Sequence, residues 1–139
     1  MLLIRKFEKA DLQKIAVQPQ QLHEFDYNTN KDFDFTIEAS GLVLGVFALL
    51  STDTKRLCVS AFISELSGPY LRQMIKTIRF ILEDGMKKTG NDIIDMTVLS
   101  GFKNGVKLAK MLGFKYNQEL KKYFMGKDYQ LYTWHKAVY

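Results

Sequence analysis

Hydrophobic and polar positions along this chain switch between a two-residue and a helical period, and the switches mark its elements. Leu2 to Phe7 reads as a strand. From Glu8 to Asp26, Leu12, Ile15, Ala16, Leu22 and Phe25 recur at helical spacing, with Pro19 between them. A proline is tolerated in a first turn and breaks an interior, so this stretch predicts two short helices. Asp26 to Asp34 is polar, carries asparagines and reads as a loop that could form a flap. Phe35–Ser40, Leu42–Leu50 and Arg56–Ile63 predict three strands, separated by Gly41 and by the Ser51-Thr52-Asp53-Thr54 cluster. The second is apolar at nearly every position, as is much of the third. Strands of that kind are covered on both faces, which predicts a central sheet with helices on each side.

The most informative segment is Arg56 to Lys88. Its strand runs into a short break at Leu66-Ser67-Gly68-Pro69, and a long amphipathic helix follows at once. Leu71, Met74, Ile75, Ile78, Ile81, Leu82 and Met86 form the apolar stripe, with Arg72, Lys76, Arg79 and Glu83 on another face. The first N–H groups of such a helix lack intrahelical partners, and together with the helix dipole they suit a phosphate. Beyond Gly90, the pattern predicts a strand over Asp92–Leu99 and a short helix over Asn104–Leu112 closed by Gly113. A terminal hairpin, Phe114–Phe124 with Tyr129–Lys136, turns at Met125-Gly126-Lys127-Asp128.

The order is thus β-α-α-β-β-β-α-β-α-β-β, with no repeat, low-complexity stretch or linker, which favours one α+β domain over residues 1–139. With 47% hydrophobic and 25% charged residues, the composition is that of a folded globular chain. No run of apolar residues reaches bilayer length, and the first residues lack a signal-peptide pattern, so an intracellular, cytoplasmic protein without membrane partners is expected. The net charge of +5 permits nucleic acid, a phosphorylated cofactor or an acidic partner and selects none of them. Cys58, the single cysteine, lies in an apolar strand pattern and reads as a buried structural thiol. His23 and His135 are far apart, no cluster has metal-ligand spacing, and no metal is expected.

The element order resembles the GNAT family, the Gcn5-related N-acetyltransferases. Two segments carry the likeness: Val59 to Met86, and Leu108-Ala109-Lys110-Met111-Leu112-Gly113-Phe114, which is similar to the family's helix-to-strand signature ending in Leu-Gly-Phe. The resemblance implies a mixed, mostly antiparallel sheet flanked by helices, acetyl-CoA as co-substrate and an amine as acceptor. It further implies that the strand at Phe62, Ile63 and Ser64 lends backbone groups to the pantetheine arm. Ser67, Gly68, Tyr70, Leu71 and Arg72 would then line the pyrophosphate turn. Glu65 becomes the candidate general base, with Glu38 a weaker competitor, and Tyr116 a candidate proton donor to the departing thiolate.

Two departures stand against this. The family's turn reads Arg/Gln-x-x-Gly-x-Gly/Ala, whereas only Gly68 is kept here and Pro69 has no N–H to give. The family's proton-donating tyrosine aligns with Ala109. Within the family the chain is similar to a degenerate branch encoded by tailed phages, which includes an internal virion protein. The basis is the Leu66-Ser67-Gly68 turn before a basic helix and the closing Gln130-Leu131-Tyr132-Thr133.

Plainer readings stand beside each of these. Ser67 could cap a helix, Gly68 could serve a turn alone, Glu65 could be an exposed carboxylate, Arg72 a solvated side chain and Tyr116 a half-buried strand residue. Lys103, Lys107 and Lys110 line one helix face, with Lys115 just beyond, as a solvated stripe, a basic wall toward the adenosine 3′-phosphate of CoA, or a nucleic-acid contact. The stripe lacks interleaved aromatics and matches no DNA-reading motif, which argues against a nucleic-acid partner. Two functions remain open: an N-acetyltransferase, and a GNAT fold without catalysis that serves as a structural or interaction protein of phage or prophage, binding virion proteins or itself.

Overall fold

The computed structural model describes residues 2–27, 33–52 and 55–136. Its elements follow the expected order: β1 (Leu3–Lys6), α1 (Asp11–Lys14), a 3₁₀ turn (Pro19–Gln21), α2 (Leu22–Tyr27), β2 (Phe35–Ala39), β3 (Leu42–Ser51) and β4 (Arg56–Ile63). Then come a second 3₁₀ turn (Gly68–Tyr70), α3 (Leu71–Thr89), β5 (Ile93–Leu99), α4 (Lys103–Met111), β6 (Lys115–Phe124) and β7 (Lys127–His135). Pro19 opens its turn, where a missing N–H costs nothing. The expected flap falls partly on residues 28–32 and the β3–β4 turn on 53–54, which lie outside the described residues.

The strands form one mixed sheet in the order β1-β2-β3-β4-β5-β7-β6, flanked by helices. β1 with β2, β2 with β3, β5 with β7 and β6 with β7 are antiparallel. β4 runs parallel to β5 in register over Arg56–Cys58 against Ile93–Asp95. The chain divides into two compact units, residues 1–49 with 60–76, and residues 50–59 with 77–139.

In the first unit β3 is buried at six successive positions, Val43 to Ala48, as expected of a strand covered on both faces. Phe7, Leu12, Ile15, Phe33, Val46 and Phe62 belong to its core, with Phe33 and Phe25 edge-on to Phe62 at 5.8 and 5.4 Å. Beside that core sits a fully buried carboxylate, Asp11. Arg5 grips it through both terminal nitrogens, at 2.9 and 2.6 Å, and the Thr36 hydroxyl (2.7 Å) and Glu8 N–H (2.9 Å) complete its shell. Burial pushes this carboxyl's pKa up, and these four donors more than reverse that and hold it down at about 2.

In the second unit Arg56 forks onto Asp95 at 2.5 and 3.0 Å, and the Thr133 hydroxyl donates to the same carboxylate at 2.9 Å, tying β4, β5 and β7 together. Arg79 donates to the carbonyls of Leu112 and Met111, 3.2 Å from each, and so caps the end of α4. Met125 and Gly126, with φ of 50° and 72°, make the two-residue turn of the β6–β7 hairpin. β6 is the outer strand, exposed along most of its length, and Tyr116 and Tyr123 lie on it half in solvent. Cys58 is half-buried rather than sealed in the core, and burial raises its thiol pKa.

Candidate active site

β4 reaches its end held to β3 by the Ser64 N–H, which donates to Leu44 O at 2.8 Å. Backbone groups of successive strand residues point to opposite edges, so Ala61 and Ile63 turn their carbonyls away from β3. Those carbonyls are not left bare. Gln18 Nε2 donates to Ile63 O at 3.0 Å, and Gln21 Nε2 donates to Ala61 O at 3.1 Å. The same segment continues the pairing: Val17 bridges Ser64, and Glu65 N donates to Ala16 O at 2.9 Å. Residues 16–21 therefore act as a short surrogate strand along β4, half made of backbone and half of glutamine amides.

Pro19 explains the arrangement locally. It holds Gln18 in an extended conformation (φ −66°, ψ 140°) and starts the turn that brings Gln21 round to the same edge. The Gln21 carbonyl oxygen, Oε1, is buried and has no hydrogen-bond partner. Neither glutamine was singled out from sequence; a polar pair around a proline reads as loop, and its partners lie 45 and 40 positions away.

The turn after β4 is more closed than a bare helix start. The Ser67 hydroxyl donates back to Ser64 O at 2.6 Å, and the Ser67 N–H reaches the same oxygen at 3.2 Å. Ser64 Oγ accepts from Leu66 N at 3.0 Å. Both serines are buried and direct their polar groups into the turn rather than outward. Ser67 precedes the helix without capping it through its side chain. The 3₁₀ geometry then consumes donors: Tyr70 N bonds Ser67 O, Leu71 N bonds Gly68 O, and Pro69 has none. The Gly68 N–H is the donor not used within the turn. A side chain at Gly68 would meet nothing within 4 Å, so this face is open.

The remaining sequence-predicted residues fall around this frame. Phe62 and Ile63 are buried on β4, Glu65 and Arg72 are exposed, and Tyr70 and Leu71 are half-buried. All lie in the first unit. Tyr116 belongs to the second unit, 53% exposed, with its ring edge-on to Tyr132 at 5.9 Å. Glu38 is committed to Arg5 at 3.2 Å. Ala109, where the proton-donating tyrosine would align, is completely buried. Among the described residues there is no grouping of three or more His, Cys, Asp or Glu suited to a metal, and no helix long and apolar enough to cross a membrane.

No family model matches the sequence, and no curated protein matches it. Solved structures do. A GNAT-family acetyltransferase from Bacillus anthracis superposes with a TM-score of 0.72 at 15% identity, over 96% of this chain and 94% of the other. The chain has the GNAT fold. The ribosomal-protein-S5-alanine acetyltransferase of Vibrio fischeri is similar with a TM-score of 0.70 at 14% identity, over 97% of this chain and 93% of that one. The yncA protein of Salmonella typhimurium, solved with its cofactor acetyl-CoA, gives 0.64 at 13% identity, over 99% and 95%. At these identities the GNAT likeness is one of backbone architecture, so the side chains of this chain must carry any statement about its own chemistry.

Proposed function

We propose that this chain is an acetyl-CoA-dependent N-acetyltransferase acting on an amine. The observation that carries this reading is the fit of nearly the whole chain to acetyltransferase structures, one of them holding acetyl-CoA. The residues present fit such a co-substrate in reduced form. Gly68 is exposed on an open face with its N–H unused within the turn, and Arg72, in the first turn of α3, adds an exposed cation. When bound, acetyl-CoA supplies an activated acyl thioester. Glu65 would take the proton that the acceptor amine loses as its nitrogen bonds to the acyl carbon. Tyr116 is the candidate that returns a proton to the departing thiol.

A second reading, a GNAT fold without catalysis that serves as a binding or structural protein, draws on three observations. The serine hydroxyls face inward, the turn spends its N–H groups on itself, and Ala109 is sealed in the core. Phage or prophage origin belongs to this reading. Calorimetric titration with acetyl-CoA, followed by turnover against a panel of amines, separates the two. Under the first reading acetyl-CoA binds below millimolar concentration, and Glu65→Gln lowers kcat about 10²-fold or more while leaving that affinity intact. Binding without turnover in either protein favours the second reading, and absence of both removes the first.

A further inference from the structure

The second unit carries a basic groove whose lining residues have no assigned part in the proposed acetyl transfer, although Tyr116 packs against its Tyr132 wall at 5.9 Å. Lys103, Lys107 and Lys110 project from α4 at spacings of four and three, so they share one helix face. All three line a concavity of about 540 Å³ whose opposite wall is Gln130 and Tyr132 of β7. That volume lies within the range of small-molecule sites, about 300–1,000 Å³. Among the described residues none of the three lysines pairs with a carboxylate, and all are exposed. The arrangement is unfavourable on its own. Like charges at i,i+4 repel, and Lys103 sits in the first turn of a helix whose dipole disfavours a cation there.

Glu119 influences Tyr132, and it is held by the Ser100 hydroxyl at 2.6 Å. The wall is polar: the Tyr132 hydroxyl donates to Gln130 Oε1 at 3.0 Å, and this bond does not use the Gln130 amide N–H groups. Lys103 and Lys110 are about 10 Å apart along the helix axis, at about 1.5 Å per residue. A lone phosphate meets one or two of the lysines; negative charge spread over two or three linked phosphates meets all of them. The Tyr132 ring is buried and offers no face for stacking a base, so a nucleic-acid strand is a poorer match than a compact polyanion.

We infer that the groove between Lys103, Lys107 and Lys110 of α4 and Gln130 and Tyr132 of β7 binds a small molecule carrying two or more linked phosphates. The test is titration of the full chain with inorganic triphosphate and, separately, with ATP, each repeated in the presence of saturating acetyl-CoA. The expected result is saturable binding of either probe that weakens steeply with added salt and survives acetyl-CoA. Lys107→Ala with Lys110→Ala should weaken it at least about tenfold, and Lys107→Arg with Lys110→Arg should preserve it. Equal affinity for the two probes assigns recognition to the phosphates alone, and tighter ATP binding adds the nucleoside; both support the site. No binding at millimolar probe, binding indifferent to the alanine pair in a protein with unchanged circular dichroism, or displacement by acetyl-CoA would each overturn it. So would tighter, equally lysine-dependent binding of a single-stranded oligonucleotide, which would make the face a polymer surface.

Discussion

Gln18 and Ile63 stand 45 positions apart and are joined by a 3.0 Å hydrogen bond from the glutamine amide to the strand carbonyl. A side chain here does what a neighbouring strand would otherwise do. Gln18 is 7% exposed, so its removal strands a buried carbonyl. Gln18→Ala should cost about 1–3 kcal/mol, the penalty for an acceptor left unsatisfied away from water. Gln21→Ala should cost less, within about 1 kcal/mol, because the bond it loses to Ala61 is offset by deleting its own unpaired buried oxygen. Urea denaturation of the two variants checks the ordering; a larger loss at Gln21 would show that its oxygen has a partner in solution.

The Asp11 cluster makes a pH prediction with a definite sign. The folded carboxyl lies at about 2, below the ordinary aspartate value of about 3.9 in an unfolded chain. A depressed carboxyl contributes stability that is fully present above the unfolded value and lost as pH falls through the folded one. The window is therefore about pH 4 down to about pH 2. Asp11→Asn should cost about 3 kcal/mol at neutral pH, toward the low end for a broken buried pair because Arg5 keeps Glu38. The difference in stability between wild type and variant should shrink across that window. A difference that stays constant from pH 5 to pH 2 would contradict the assignment.

Much of the fold was legible because its elements are strongly periodic. The α3 stripe buries Met74, Ile75, Ile78, Leu82 and Met86, and the unbroken apolar run of β3 is buried as such a run should be. Pro19 placed a helix start correctly, since its effect is local. The site was harder to read. Sequence marked Ser67 as a residue that could face a phosphate, but the direction of a hydroxyl depends on which acceptor is nearest, and Ser64 O won. Gln18 and Gln21 escaped notice because an amide in a loop announces nothing until its distant partner strand is in place. The lysine face of α4 was visible at helical spacing, whereas the concavity opposite it depends on where β7 lies.

Gly105 reverses the usual expectation for a glycine within a helix. Glycine to alanine in an exposed helix interior stabilises by about 1 kcal/mol. In α4 an added Cβ would stand 2.7 Å from Val98 Cγ1 and 2.8 Å from Phe102 Cδ2, and both neighbours are buried. The missing side chain is what allows the helix to lie close on β5. Gly105→Ala should therefore destabilise by about 1–3 kcal/mol through overpacking. A shift of the urea midpoint to higher concentration would mean that Val98 and Phe102 can yield.

Ala109 bears on whether a proton donor could be introduced at the place of the GNAT tyrosine by one substitution. Alignment places the family's tyrosine there, so Ala109→Tyr is the natural attempt at a gain of activity. The position is 0% exposed, and its carbonyl accepts the Phe114 N–H at 3.0 Å where the chain leaves α4 for β6. A tyrosine ring at this point must displace packed neighbours, and its hydroxyl must find a partner or stay unsatisfied in an apolar interior. The expected outcome is a lower Tm, with a stability loss of about 3 kcal/mol or more and no rise in acetyl transfer. Tyr116→Phe, on an exposed strand, should leave Tm nearly unchanged and lower turnover only if that phenol supplies the proton. Thermal melts paired with turnover of the two variants separate the cases. If Ala109→Tyr gained turnover at an unchanged Tm, the position would open toward the reacting atoms in solution, and burial would not bar a proton donor there.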